Sequence, residues 1–272
     1  MRPIFWVAAI AVALLLVGLL GRRWVHHAQL ELVPVIVPAG ADAQSIVEPP
    51  AGAVAQRMMR DIRDVVHRPD RPRLAVLSFD DGPYPVETPA LAQALAGLRV
   101  PADFFFIGND ATRQPAIARR LADAGFELGN HSLTHPEMPT LGYDAQLEEI
   151  RAGAAAVLAA TGRTTTFFRP PHGSYDANTL KAAADAGETV ALWDVDPGDW
   201  RSLTADEIAA LATDQAHAPA VILLHDGKDA TIEALPRIVE AYRHAGFEFV
   251  TLSELERRVP LDQINDPVKV SL

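Results

Sequence analysis

From residue 74 onward, short apolar or β-branched runs alternate with longer stretches of helical periodicity, and this alternation limits the folds open to the chain. A strand that is followed by a helix and then by another strand forms a parallel pair with a helical crossover. The pattern therefore predicts an α/β fold with about seven parallel strands. The predicted strands are residues 74–79, 103–107, 126–129, 166–169, 189–194, 221–225 and 247–251.

The stretches between these runs have the apolar spacing of amphipathic helices, and several end at a glycine. The predicted helices are residues 88–98, 114–124, 143–160, 177–186, 205–216 and 232–245. The polar motifs follow the predicted strands, and β/α barrel enzymes carry their catalytic groups at this end of the sheet. A distorted or partial (β/α) barrel is therefore favoured over an open sheet, while closure of the barrel stays undecided.

The N-terminus begins with an unbroken apolar run over residues 4–20, which as a helix would extend about 25 Å, close to the hydrocarbon thickness of a bilayer. Trp6 and Trp24 flank the run, as interfacial aromatic residues do. A cleaved signal peptide would have a shorter apolar core and a small-x-small cleavage site, which is lacking at the two candidate positions. We expect an uncleaved transmembrane helix that anchors a single-pass protein in the membrane.

Composition divides the chain into four segments. They are a predicted transmembrane anchor, a proline-rich tether with a lead-in helix, the functional domain and a tail: residues 1–27, 28–72, 73–259 and 260–272. Arg2 lies on one side of the anchor and Arg22 with Arg23 on the other, so charge leaves the orientation of the anchor undecided.

Charge and composition exclude some classes of function. The chain has 35 acidic and 24 basic side chains and a formal net charge of −11, which disfavours non-specific binding to nucleic acid. The absence of cysteine removes disulfides, thiolate metal sites and cysteine nucleophiles, but leaves histidine and carboxylate metal sites open. The chain also lacks the glycine-rich motifs of nucleotide cofactor sites and the Gly-x-Ser-x-Gly motif of serine esterases.

Two adjacent carboxylates, Asp80 and Asp81, follow the first predicted strand and precede a Gly-Pro pair. If the extended geometry continues, they face opposite ways, so that one can bind a metal while the other handles protons. Such a run is also common in turns. His131 and His135 are four residues apart, which on a helical turn places both imidazoles on one face.

Asp81, His131 and His135 would together supply one oxygen and two nitrogen ligands and leave positions open for water and substrate, as catalytic zinc sites do. A solvated or capping role for the two histidines is equally open. A filled site of this kind polarises a carbonyl group and acidifies water.

Three further polar residues follow later strands. Arg169 cannot lose its charge and suits the binding of a carboxylate such as Asp80, although a surface salt bridge is an alternative. A carboxylate at Asp199 in contact with His225 would favour the protonated ring and orient it, which suits a general acid. His225 is also consistent with a histidine at the edge of the core. Trp200 is either a core residue or a platform on which a sugar stacks.

Five motifs occur in order over about residues 73–255: Ser-Phe-Asp-Asp-Gly-Pro, His-Ser-x-x-His-Pro, Arg-Pro-Pro-x-Gly, Asp-Trp and Leu-x-His. In these motifs the chain resembles the polysaccharide deacetylase family, which has the NodB homology domain and forms carbohydrate esterase family 4. The resemblance implies a distorted β/α barrel that hydrolyses N-acetyl, sometimes O-acetyl, groups on sugars. It also implies a divalent metal ion, most often zinc, with cobalt as an alternative.

The resemblance assigns roles to individual residues. Asp80 is the implied general base, and Arg169 is the residue that holds it. His225 is the implied general acid, and Asp199 is the residue that tunes it. The implied metal ligands are Asp81, His131 and His135. The candidates for substrate contact are His172, where the family often has tyrosine and uses the backbone N–H, together with Trp200, Tyr175 and Trp193.

We therefore expect a metal-dependent hydrolase that removes acetyl groups from N-acetylated sugars of a cell-envelope polysaccharide, with its catalytic domain on the extracytoplasmic side. One alternative is a glycan-binding protein without catalytic activity. Another is a deacylase of a lipid-linked sugar or of a different non-polymeric amide. The sequence does not determine the glycan, the acetyl position or the oligomeric state.

Overall fold

The computed structural model describes residues 36–37 and 71–259. Within these residues one sheet contains the strands β1 (Ile36–Val37), β2 (Leu74–Asp80), β3 (Asp103–Phe106), β4 (Glu127–Asn130), β5 (Phe167–Phe168), β6 (Thr189–Ala191), β7 (Ala220–His225) and β8 (Glu248–Phe249). The helices of the described part are α1 (Glu87–Leu98), α2 (Gly108–Arg113), α3 (Pro115–Asp123), α4 (Tyr143–Thr161), α5 (Ala177–Ala186), α6 (Ala205–Asp214), α7 (Asp229–His244) and α8 (Leu252–Arg258). Single turns of 3₁₀ helix occur at Met138–Thr140 and Pro171–Gly173.

The sheet has the strand order β1-β6-β5-β4-β3-β2-β7, and β8 also pairs with β2. Strands β2 to β8 pair in parallel, and the helices between them form the crossovers. All seven predicted strands are present, with ends that differ by a few residues. The prediction of an α/β fold built as a partial barrel of parallel strands is therefore confirmed.

Two short α-helices and one short strand were not predicted. Helices α2 and α8 have six and seven residues, too few for a helical period to be recognised in the sequence. Strand β1 lies in the predicted tether and pairs with β6 in antiparallel fashion, with Ile36 opposite Ala191. At this point the tether segment is therefore part of the sheet rather than an unpaired spacer.

The predicted anchor, most of the tether and the tail lie outside the described residues. In the part of the chain that the structure describes, none of the helices combines the length and the apolar character that a membrane crossing requires.

The two faces of β2 differ in what they contact, and this difference positions the polar groups. Every residue of β2 is buried, as is typical of a parallel strand covered on both faces. Phe79 packs in the large cluster beneath the helices, whereas Leu74 and Val76 pack in a second cluster on the inner face of the half-barrel. Because side chains alternate along a strand, Ser78 and Asp80 share the inner face with Leu74 and Val76.

Phe104 lies at the centre of the cluster beneath the helices. Its ring stacks on Phe79 with 5.3 Å between centroids and meets the edge of Phe126 at 5.2 Å. The side chain is fully buried. Its removal would leave a cavity with apolar walls, which water does not fill.

We expect Phe104→Ala to lower the free energy of unfolding by about 3–5 kcal/mol, because it removes buried apolar area and leaves a cavity. Chemical denaturation of the variant measures this change. The control is Leu158→Ala, at a side chain that is exposed, and should change the free energy by no more than about 0.5 kcal/mol. A loss below 1 kcal/mol for Phe104→Ala would contradict this packing.

Candidate active site

Asp80 is the last residue of β2 and projects into the half-barrel, where it is buried. Its Oδ1 accepts a hydrogen bond from Arg169 Nη1 at 2.7 Å, and its Oδ2 lies 3.7 Å from His131 Nε2. Burial alone would raise the pKa of Asp80, but the positive charge of Arg169, aided by that of His225, outweighs burial and holds the pKa below its ordinary value. Asp80 is therefore an ionised carboxylate at neutral pH.

Arg169 is fully buried, and hydrogen bonds on every side fix its guanidinium. Besides Asp80, Nη1 donates to Ser78 Oγ at 3.0 Å, Nε donates to the carbonyl of Ala191 at 3.1 Å, and Nη2 donates to that of Leu192 at 3.2 Å. The guanidinium carbon lies 4.1 Å from the centre of the Phe105 ring. Four partners and an aromatic face hold the charge in one place, so the predicted contact with Asp80 is present and is not a surface salt bridge.

Asp81, His131 and His135 come together at the mouth of the half-barrel. One potential ligand atom from each lies within 4.8 Å of those of the other two. Asp81 Oδ1 is 3.5 Å from His135 Nε2 and 3.9 Å from His131 Nε2. His131 Nδ1 lies 2.7 Å from the carbonyl oxygen of Arg169, and this contact assigns the ring proton to Nδ1 and leaves the lone pair of Nε2 facing the cluster.

The local backbone differs from what the sequence predicted. His131 and His135 do not lie on a helical turn, because the chain leaves β4 in a loop in which Ser132 and His135 have φ values of 64° and 63°. The two rings nevertheless meet edge to face with centroids 4.8 Å apart. The strand geometry also stops at Asp80, since Asp81 has a φ of 70°, so the two carboxylates both approach His131 instead of facing opposite ways.

The donor set fits a divalent metal ion. Burial, and next the proximity of His131, lower the pKa of His135 to about 4, so this ring is neutral at physiological pH, which is the form that binds metal. One carboxylate and two imidazoles with open sides match zinc and cobalt better than the all-oxygen sites of magnesium or calcium.

His225 is the last residue of β7 and lies in register with Asp80 on β2. Its Nδ1 is 2.7 Å from Asp199 Oδ1, and its backbone N–H donates to Asp199 Oδ2 at 2.8 Å. Thr231 also donates to Oδ2, at 2.6 Å, and so fixes the carboxylate from the other side. Burial lowers the pKa of His225, but the hydrogen bond and the charge of Asp199 outweigh it and raise the pKa to about 9.

The candidates for substrate contact occupy different environments. Trp200 is 56% exposed next to Asp199, which suits a ring that stacks on a ligand. His172 is exposed, has a φ of 60° and packs its ring against His135, with centroids 4.7 Å apart. Tyr175 is buried in a core cluster, and Trp193 lies partly buried over Arg169, so neither ring is as exposed to a ligand as that of Trp200.

Sequence reasoning missed the supports behind the predicted residues. Ser78 bridges Arg169 and the carbonyl of Ile222, and its position two residues before Asp80 was the available signal. Thr231, which holds Asp199, left no comparable signal. Asp226 directly follows His225 and is almost completely buried, although an Asp-Gly pair at a strand end indicates an exposed turn.

We expect Asp199→Asn to lower the pKa of His225 from about 9, because the variant removes the negative charge that stabilises the imidazolium. NMR titration of the ring measures this pKa. In the wild type, His225 contributes to the free energy of unfolding at pH values below its unfolded pKa, and this contribution is lost as pH rises towards 9. The variant should lose that dependence in part. An unchanged pKa in the variant would contradict the assigned contact.

Known proteins resemble this chain in sequence and in fold. A family model described as polysaccharide deacetylase matches residues 67–191. A chitooligosaccharide deacetylase of Sinorhizobium fredii is 35% identical over 185 residues, which are 63% of this chain and 86% of the relative. The solved structure of Bc1960, a peptidoglycan N-acetylglucosamine deacetylase, is 30% identical with a TM-score of 0.65, and the match covers 67% of this chain and 87% of that chain.

A pseudoenzyme of the CE4 family from Bacillus anthracis has a similar structure, with 28% identity and a TM-score of 0.65 over 68% of this chain and 65% of that chain. The fold alone is therefore compatible with loss of activity, and the polar groups at the strand ends carry the functional argument. Identity of 35% across most of a deacetylase, in a parallel half-barrel with the five motifs in order, shows that the chain belongs to the polysaccharide deacetylase family.

Proposed function

We propose that the protein is a divalent-metal-dependent hydrolase that removes acetyl groups from N-acetylated sugars of a cell-envelope polysaccharide and releases acetate. One observation carries the proposal: an ionised carboxylate, a cluster of metal-binding groups and a protonated imidazole converge at the ends of neighbouring strands. Amide hydrolysis needs a proton acceptor for water and a proton donor for the leaving nitrogen, and these three groups supply the chemistry together.

Asp80 is the proposed general base. Arg169 occupies Oδ1, so Oδ2, on the side of His131, is the oxygen available to take a proton from water. Because the pKa of Asp80 is held below its ordinary value, the carboxylate stays ionised through the neutral range. A carboxylate with a lowered pKa is a weak base, so proton transfer to Asp80 depends on how acidic the attacking water is.

Asp81, His131 and His135 are the residues proposed to hold the metal ion. When bound there, zinc or cobalt supplies a Lewis acid that polarises the acetyl carbonyl and acidifies water. His131 contributes orientation as well, since the carbonyl of Arg169 fixes its ring with Nε2 towards the cluster.

His225 is the proposed general acid. Asp199 binds Nδ1, so Nε2 is the nitrogen available to donate a proton. With a pKa of about 9, the ring is protonated at neutral pH and can give its proton to the nitrogen of the breaking amide bond. Water adds to the acetyl carbon, the carbon–nitrogen bond breaks, and the products are acetate and a free amino sugar.

Two features support a glycan as the substrate. Relatives of this chain are named as deacetylases of chitooligosaccharide and of peptidoglycan N-acetylglucosamine. Trp200, exposed beside Asp199, offers an aromatic face on which a sugar ring can stack.

The apolar run at residues 4–20 supports a further proposal, that the chain is membrane-anchored with its catalytic domain outside the cytoplasm. A topology reporter fused to the C-terminus tests this orientation, and an inward-facing reporter would overturn it.

The alternative of a glycan-binding protein without catalysis is favoured by one observation, the existence of a pseudoenzyme with a similar structure. In this chain, however, Asp80 and His225 keep the environments that an acid and a base require. A deacylase of a lipid-linked amide would use the same groups and differ only in what it binds.

Acetate release tests the proposal. The full-length chain is purified in detergent, stripped of metal, and assayed on N-acetylglucosamine oligomers, peptidoglycan and a lipid-linked N-acetyl sugar with and without added zinc or cobalt. We expect metal to restore release from a glycan. Release only from the lipid-linked substrate would change the substrate class, and metal-bound protein that releases no acetate would support the binding-protein alternative.

Asp80→Asn should lower kcat by about 10²–10⁴-fold while zinc still binds, because the variant loses the proton acceptor but keeps the three metal-binding side chains. The matched control is Asp81→Asn, which should weaken zinc binding itself. Zinc affinity is measured by competition with a chelator, and kcat by acetate release. Full activity of Asp80→Asn would contradict the assignment of the base.

The wild-type kcat/KM should be bell-shaped in pH, because this parameter reports the ionisation of groups in the free enzyme. It should rise at acid pH as Asp80 ionises below its ordinary pKa, and fall at alkaline pH as His225 loses its proton near pH 9. In Asp199→Asn the alkaline limb should move to lower pH, because loss of the Asp199 charge lowers the pKa of His225. An alkaline limb at the same pH in both proteins would argue against His225 as the acid.

A further inference from the structure

Asp226, which takes no part in the proposed reaction, joins the loop that carries the acid to the loop that carries a metal ligand. β2 and β7 end side by side, with Asp80 opposite His225. One step beyond the paired residues, the backbone N–H of Asp226 donates to the carbonyl oxygen of Asp80 at 3.0 Å. The loop after β2 and the loop after β7 therefore both start at this hydrogen bond.

The side chain of Asp226 extends this connection to α1. It is only 1% exposed, and its Oδ1 accepts a hydrogen bond from the backbone N–H of Gly227 at 2.7 Å. Its Oδ2 accepts one from the hydroxyl of Thr88, a fully buried residue in the first turn of α1. Thr88 Oγ1 in turn accepts the backbone N–H of Tyr84 at 2.6 Å. The carboxylate thus ties the end of β7 to the first turn of α1 and, through Thr88, to Tyr84 in the segment that follows Asp81.

The segment after Asp81 also lies in direct contact with this carboxylate. Gly82 has a φ of 63°, and a Cβ at this position would clash with Asp226 Oδ2. Asp81 itself has a φ of 70°, a conformation that a non-glycine residue keeps only when its surroundings impose it. The hydrogen bonds of Thr88 and Asp226 are the surroundings that the structure provides on this side.

The contact between Asp226 and Thr88 buries a carboxylate, which costs more free energy than a purely structural contact needs to. Burial of the Asp226 carboxylate is costly, and the acidic side chains of Glu87 and Asp81 lie close enough to add to that cost. Apolar side chains in place of Asp226 and Thr88 would avoid the burial of a charge but would leave the backbone N–H groups of Gly227 and Tyr84 without these acceptors. Directional hydrogen bonds, in contrast, fix the geometry of a turn in a way that apolar packing does not.

We propose that Thr88 and Asp226 are positioning residues that hold the turn after Asp81 in the geometry needed for metal binding. The proposal rests on the proposed metal site. Neither residue is placed to contact the metal or the substrate, and each acts through the backbone of the turn. Supporting residues of this kind contribute about 10–100-fold to metal affinity in other proteins.

Thr88→Val tests the proposal in the full-length protein, because it removes both hydrogen bonds of the hydroxyl and preserves the shape of the side chain. Thr88→Ser keeps the hydroxyl and serves as the conservative variant. The matched control is Thr161→Val, at a buried helix threonine whose hydroxyl donates to the carbonyl of Val157 at 2.7 Å. Asp226→Asn is a second, independent variant that changes the acceptor instead of the donor.

Two quantities are measured for each variant: zinc affinity by competition with a chelator, and the melting temperature of the metal-free protein. We expect Thr88→Val and Asp226→Asn to weaken zinc binding by about 10–100-fold, and Thr88→Ser and Thr161→Val to change it by less than threefold. A merely structural role predicts a lower melting temperature for Thr88→Val with unchanged zinc affinity, and that result would overturn the proposal.

The pH profile of acetate release gives a further check, because the pair supports the metal-binding turn and not the contact of His225 with Asp199. The alkaline limb of Thr88→Val should therefore match that of the wild type. Failure of the proposed function is a distinct outcome: the wild type would bind zinc and release no acetate, while the zinc affinities would still rank the variants as described. Wild type that binds no zinc would overturn both.

Discussion

The buried ion pair of Arg169 and Asp80 is the interaction on which the rest of the site depends. Two charges inside a half-barrel lose their hydration, and only close contact and further hydrogen bonds compensate for this loss. The structure meets that condition, since the guanidinium also binds Ser78 and two backbone carbonyls of the neighbouring strand segment. Removing either partner would leave an unpaired buried charge, at a cost of about 3–5 kcal/mol. The ion pair therefore fixes how the ends of β2 and β5 lie relative to each other, and it also keeps the Asp80 carboxylate ionised.

The same residue connects the two halves of the chemistry. Arg169 lowers the pKa of Asp80 through its side chain and orients His131 through its backbone carbonyl. On the other side of Asp80, His225 lies in register on β7 and has a raised pKa because of Asp199. Neighbouring groups thus have pKa values pushed in opposite directions, so that the proposed base and the proposed acid are in the required forms at one pH.

Sequence patterns predicted the strands well because parallel strands buried on both faces form unbroken apolar runs, as in β2. They also indicated which polar residues follow those strands. They did not predict the backbone of the loops, where His131 and His135 meet without a helical turn. Nor did they indicate Asp226, since its burial depends on Thr88, which is 138 residues away in the chain. Local composition at an Asp-Gly pair carries no information about such a distant partner.

Strained backbone conformations are concentrated at the candidate site. Of the five non-glycine residues with positive φ in the described part of the chain, four lie at the candidate site: Asp81, Ser132, His135 and His172. Each such conformation costs of order 1 kcal/mol and persists only where the surroundings enforce it. Here the enforcing elements are buried strands on one side and directed hydrogen bonds on the other, such as that from the backbone N–H of His135 to Ser132 Oγ at 3.0 Å. Backbone strain is thus concentrated in the loops that carry the candidate metal-binding residues, and it is part of how the site is built.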